Sequence, residues 1–377
     1  MKRFSTLFFL TIGLGLVAQP ALFADTYYVG NGSCHSTSPY TTITAAVAAA
    51  PAGSTVEVCP GTYAEQVYIV GKPLTLKGIT DGNSNQVVIT VPSTGLGTTT
   101  DLLNSEILAP QVYVATDAGP VNISNITVDG TGYSPGANIW LIGIYYFSGT
   151  PGTINEVTVR SLSNSGYTTG IWAENGSTTQ ESVTIENSSI HNLDNLAMFL
   201  LSNQTPPTLT ATVKGNNVAV TVVGIYSEAA GSIASNIVTG AFAEGIVLNS
   251  TASAESNTVT NSAYGIVAGA AEETIKSNTV LNSADGVMLG ASGSTVESNK
   301  ITNSSNAAID SGCFSATVHS NTINDALIGL QNVPASFSGS NTFDNVPTIK
   351  SVCSSDASHV AKPTTRLPQI VKGPAVN

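Results

Sequence analysis

The feature that most constrains this chain is a repeat built on asparagine. The segments "ASNIVTG", "ESNTVTN", "KSNTVLN", "ESNKITN", "HSNTIND" and "GSNTFDN" place Asn236, Asn257, Asn278, Asn299, Asn321 and Asn341 in register, at intervals of 21, 21, 21, 22 and 20. A second asparagine column follows at Asn261, Asn282, Asn303, Asn324 and Asn345. A small residue followed by an aliphatic recurs between them, at Gly224-Ile225, Gly245-Ile246, Gly265-Ile266, Gly286-Val287, Ala308-Ile309 and Gly329-Leu330. Each unit holds short alternating runs separated by Gly, Asn and Ser, too short for a pair of helices. One unit cannot bury its apolar side alone, whereas stacked units can. Coiling one turn per unit brings equivalent residues about 4.8 Å apart, the strand spacing of a sheet. Buried asparagines at that spacing can hydrogen-bond to one another and to turn backbone. The pattern predicts an all-β parallel solenoid.

The period widens upstream. "GIYYF" (143–147), "GIWAE" (170–174), "AMFLL" (197–201) and "GIYSE" (224–228) recur at a constant interval of 27. Composition agrees with a coil rather than a disordered chain: 10% of residues are charged, yet 42% are hydrophobic, with the Val and Ile that suit pleated, half-buried surfaces.

These repeats resemble those of right-handed parallel β-helix proteins, the pectin-lyase-like superfamily. The N-terminal stretch "YTTITAAVAAAPAGSTVEVCPGTYAEQVYIVGKPLTLKG" (40–78) resembles the opening module of many of them. The resemblance implies a short helix capping the coil, with Thr41 or Thr42 as N-cap, an end at Pro51, and Ile43 and Val47 over the open apolar end. Cys34 and Cys59 then belong to the cap, and Cys313 and Cys353 to the far end. Pairing across the ends would need Cα atoms within about 7 Å, which a rod of roughly ten rungs forbids. The expected disulfides are 34–59 and 313–353, and no cysteine spacing resembles a zinc pair. The resemblance covers roughly residues 25–350 and speaks for fold, since function sits in sites grafted on folds.

The expected organisation is a signal peptide (1–24), a cap with the first rungs (25–70), the coil (71–350) and a flexible tail (351–377). Met1-Lys2-Arg3, the apolar run Leu7–Val17 and the small residue before Asp25 have the form of an export signal. Four cysteines in an exported chain suit an oxidising compartment. Removing residues 1–24 takes two of the 12 basic and none of the 24 acidic residues, leaving a formal charge of −14. That argues against nucleic-acid backbones and anionic membranes as partners, and the mature chain has no run long enough to span a membrane. Nothing in the sequence calls for a cofactor or metal.

Alternation along the "Gly-Ile-x" strand points Tyr145, Trp172, Phe199 and Tyr226 outward, one above another. Two places further on lie Phe147, Glu174, Leu201 and Glu228. An outward aromatic column is either covered by the wide turns or open as a platform on which sugar rings stack. The resemblance raises the question of catalysis. The motifs by which polygalacturonases, pectin methylesterases, pectate lyases and alginate epimerases resemble one another are absent from this sequence. An acidic-sugar lyase would need a base and a cation, for which Arg160 and Lys214, sharing with Asn187 an interval of 27, and His191 are the candidates. A glycosidase would need two carboxylates, and Glu174 and Glu228 fall in one column two rungs apart, about 9.6 Å. The column Glu255, Lys276, Glu297, His319 alternates in charge and reads as a surface ladder. The sequence therefore points to an exported β-helix binding polysaccharide or another surface partner through the 145–228 face, with a divergent lyase or hydrolase of an acidic glycan, or a purely structural envelope protein, as the alternatives.

Overall fold

The computed structural model describes residues 25–30, 34–35, 39–80, 86–103, 105–337 and 339–353; the expected signal peptide and nearly all of the expected tail lie outside them. The chain is a right-handed parallel β-helix. Twelve strands, from Thr26–Val29 to Thr317–His319, stack into one parallel sheet. A second, 20-stranded sheet supplies the other two faces of the coil. Its long strands, such as Thr258–Ala268, pair with their neighbours over two stretches and carry the chain round a corner. Inside, aliphatic residues, most of them β-branched, stack rung on rung: Ile185, Val213, Ile233, Ala254, Ile275, Val296 and Val318 are all buried. Each fully buried aliphatic contributes about 1.5–3 kcal/mol relative to exposure.

The turn between the first sheet and the second is set by the asparagine ladder. Ser256, Ser277 and Ser298 adopt left-handed backbone (φ 55°, 55° and 58°), and each delivers the following asparagine into the coil. Asn278 Oδ1 accepts from the backbone N–H and the side-chain amide of Asn257, at 2.9 and 3.0 Å. Its own amide donates to Ala254 O at 2.8 Å and to Asn299 Oδ1 at 3.0 Å. An amide side chain offers such a site an acceptor and two donors at once, and Asn278 uses all of them. The ladder starts one rung earlier than the repeat suggests, at Asn216, and runs to Asn341.

The second asparagine column holds at Asn261, Asn282 and Asn303, whose exposed amides bond to one another and whose φ values are 59°, 56° and 59°. It then continues through Asp325, not Asn324. The longer turn from Asn299 to Asn321 shifts the register by one place, so Asn324 pairs in strand register with Thr302 and Asp344, while Asn345 donates to Asp325.

At the N-terminal end, helix Ile43–Ala49 closes the coil, with Thr42 as N-cap and Ile43, Ala46 and Val47 buried. The Glu65 carboxylate of the "PGTY-E" turn accepts the N–H groups of Ile43 and Thr44, each at 2.8 Å. Lys72 Nζ donates to the carbonyls of Val47 and Ala50 at the other end, the position where a cation complements a helix. Both expected disulfides form, Cys34–Cys59 and Cys313–Cys353, with Cα atoms 5.6 and 5.8 Å apart. They place the chain with proteins of an oxidising compartment. Strand Thr348–Val352 and the second disulfide carry the coil to residue 353 rather than 350. Among the described residues no helix is long and apolar enough to cross a membrane.

Candidate functional site

The aromatic column exists and points away from the inner core, since its members alternate with the core residues Ile144, Ile171, Met198 and Ile225. It begins two rungs earlier than the wide repeat reveals, at Tyr68 and Tyr113, and continues through Val247, Val267 and Met288 to Asp310 and Gln331. Its centre is not open. Tyr145 and Trp172 are 0% exposed, Phe199 1% and Tyr226 7%. With Leu108, Trp140, Ile142, Leu196 and Leu201 they form a second hydrophobic core outside the coil. Trp172 meets Phe199 edge-on at 4.7 Å and Trp140 at 5.9 Å between ring centroids. The expected stacking platform is therefore corrected: rings of this size gain more by burial against one another than by facing water. Part of the cover comes from far upstream, where Leu102 and Leu103 lie against Gly176 and Leu103 packs onto the outer core.

The catalytic candidates do not assemble. Arg160 pairs with Asp129 at 2.8 Å in the second sheet, between Asp129 and His191 in register. Burial and the Arg160 charge hold the His191 pKa below its ordinary value. Lys214 lies in the first sheet, between Glu186 and Ala234. The interval that Arg160, Asn187 and Lys214 share is thus no column. Loops of unequal length on different faces set Arg160 beside His191 and Glu186 beside Lys214 instead. Glu174 and Glu228 do share a column, separated by buried Leu201. Glu174 is 1% exposed, accepts the Tyr145 hydroxyl at 2.5 Å and the Leu102 N–H at 3.1 Å, and burial pushes its pKa up to about 7. A carboxyl buried in this way does not face a polysaccharide on the surface. The ladder Glu255, Lys276, Glu297, His319 forms as expected, with Lys276–Glu297 at 2.6 Å.

Where the outer core thins, beyond Tyr226, the same face turns polar. The Tyr226 hydroxyl donates to Glu228 at 2.9 Å and accepts from the Asn249 amide at 2.7 Å. Val223, Glu244, Tyr264 and Asp285 follow one another in a neighbouring column. Asp285 accepts from the Asn306 amide and the Ala307 N–H, and Asp310 from Asn332. Burial raises the pKa values of Glu228, Glu244 and Asp285, and the nearby Asp310 charge adds to the effect on Asp285. Shortly before Glu244, in a stretch where this strand carries one residue more than its partner, Phe242 stands 60% exposed. Sequence reasoning missed this group because Phe242 lies off the period and Glu244 and Asp285 fall in different repeats. The signal available was the extra residue between Thr239 and Glu244. Among the described residues no three His, Cys, Asp or Glu side chains converge as metal ligands.

Residues 148–376 match a family described as periplasmic copper-binding protein (NosD), and residues 28–80 match a family described as a protein of unknown function (DUF1565). No curated protein matches the chain. Among solved structures, the catalytic domain of a GH87 alpha-1,3-glucanase in complex with tetrasaccharides is similar over 91% of this chain and 68% of its own, with a TM-score of 0.60 and 11% identity. A GH87 alpha-1,3-glucanase catalytic domain in complex with nigerose is similar over 87% and 65%, with a TM-score of 0.52 and 11% identity. The chain spans about two thirds of the length of these domains, and at such identity the likeness is one of fold.

Proposed function

The chain belongs to the family described as periplasmic copper-binding protein (NosD), and from that membership and the outward face of its coil we propose that it is an exported β-helix that binds a neutral polysaccharide. The observation that carries the reading is the group of part-buried carboxylates Glu228, Glu244, Asp285 and Asp310, of which Glu228, Asp285 and Asp310 are hydrogen-bonded, beside the exposed ring of Phe242. Carboxylates held by tyrosine and asparagine present acceptors for sugar hydroxyls, while Phe242 and Tyr264 offer apolar surface to the C–H faces of sugar rings. No Lys, Arg or His belongs to that row. A carboxylated or sulfated chain would meet uncompensated repulsion there, so the acidic glycan of the lyase alternative does not suit this face. The two disulfides and the family support an extracytoplasmic location, the periplasm where an outer membrane exists. Copper is no part of this reading, because the donor set does not fit it.

The proximity of Asp285 and Asp310, on successive rungs, favours a second reading in which the same face hydrolyses the glycan it holds. Affinity electrophoresis of the protein through gels containing neutral or carboxylated polysaccharides tests the proposal. Retardation by a neutral polymer alone supports it; retardation by carboxylated polymers alone, or by none, contradicts it. Mass spectrometry of the recovered polymer separates binding from hydrolysis.

A further inference from the structure

We infer that the described residues of this family member's coil, within 25–353, carry no copper site, so that the metal in the family's description does not extend to the body of this chain. Copper sites in proteins draw on thiolate, thioether and imidazole groups, which Cu(II) can combine with oxygen donors in a square-planar set, brought together within bonding distance. Here those groups are either committed elsewhere or stand apart from one another. All four cysteines are consumed in the two disulfides, so no thiolate remains. Met198 is sealed in the inner core with 0% exposure, and Met288 stands on the outward face between Val267 and Asp310. The imidazoles are dispersed over three parts of the coil. His35 stacks on Tyr28 at the cap, with centroids 3.5 Å apart. His191 is in register with Arg160, a fixed cation that would repel a second one. His319 faces Glu297 at 3.3 Å on the first sheet, at the end of the charge ladder.

The carboxylate row on the outward face offers oxygen donors with no imidazole or sulfur among them, and no trio of its members converges. The remaining histidine, His359, lies outside the described residues.

The mature chain, incubated with Cu(I) in competition with a chromogenic chelator and separately with Cu(II), then desalted and assayed for metal by mass spectrometry, decides the matter. The expected result is copper well below one equivalent per chain in both states. Copper that is bound and then lost in His359→Ala would place the ligand outside the described residues and uphold the inference. One equivalent retained in His359→Ala, and lost in His191→Ala or Met288→Leu, would overturn it, as would stoichiometric copper that none of these variants releases.

Discussion

The Tyr145 hydroxyl donates to the Glu174 carboxylate at 2.5 Å beneath a layer of apolar side chains, so that a phenol and an acid meet outside the coil yet out of water. Burial holds Glu174 near pKa 7 in the fold, against about 4.3 in an unfolded chain. The folded protein therefore binds this proton more tightly than the unfolded one. That contribution is complete below about pH 4 and is lost as pH rises through 7, with an order of magnitude of about 3 kcal/mol. Glu174→Gln keeps an acceptor for Tyr145 and removes the titration. Between pH 5 and 9 the Tm of the natural protein should fall more steeply than that of the variant. Glu273, which burial pushes up to about 9, leaves a residual slope in both. Equal slopes would contradict the buried placement of Glu174.

Trp172 is a core residue that happens to lie outside the coil. Trp172→Ala should cost about 3–5 kcal/mol in denaturant unfolding, whereas Tyr68→Ala, at the 40% exposed start of the same column, should cost well under half of that. A loss below about 1 kcal/mol for Trp172→Ala would mean the ring faces solvent.

The two asparagine columns should differ sharply. Asn278→Ala leaves the Asn257 N–H and the Ala254 carbonyl without partners inside the coil, at a cost of about 2–4 kcal/mol. Asn282→Ala loses two exposed amide contacts, to Asn261 and from Asn303, and places alanine at φ 56°, at a cost of about 1–2 kcal/mol. Urea midpoints of the two variants check the order, and equal losses would contradict it.

Much of the fold was legible in the sequence because its determinants are local and recur. The Ser-Asn pair at each turn, the Gly-aliphatic landmark and the threonine before the Ala-rich helix each act over a short span of chain. Glu65 of the "PGTY-E" turn was legible as a motif, though not as the carboxylate that caps helix Ile43–Ala49. The site was much less legible. Counting by the wide period found the rungs joining Tyr145 to Tyr226, but it failed for Arg160 and Lys214, whose faces are separated by loops of unequal length. Nothing near Trp172 in sequence announces the Leu103 side chain that packs onto its core from a distant upstream part of the chain. Phe242 is exposed through a single extra residue, which a repeat pattern treats as noise.

Loss of the cap disulfide should be felt throughout the coil, since the capped end protects the first sheet edge. Replacing Cys34 and Cys59 together by serine should lower stability by about 2–4 kcal/mol. Alkylation of the natural protein without reductant should add no mass, and incorporation of label would contradict the two bridges.

The most direct test of glycan binding on the outward face is oxidative footprinting of the natural protein with and without a neutral β- or α-glucan oligosaccharide. Phe242, Tyr264 and Met288 are reactive side chains on or beside the acidic row, none of them fully buried. Binding there should slow their oxidation together while Tyr68 and Tyr133, elsewhere on the coil, react at unchanged rates. Protection confined to other residues, or binding that leaves these three unprotected, would contradict the proposed face.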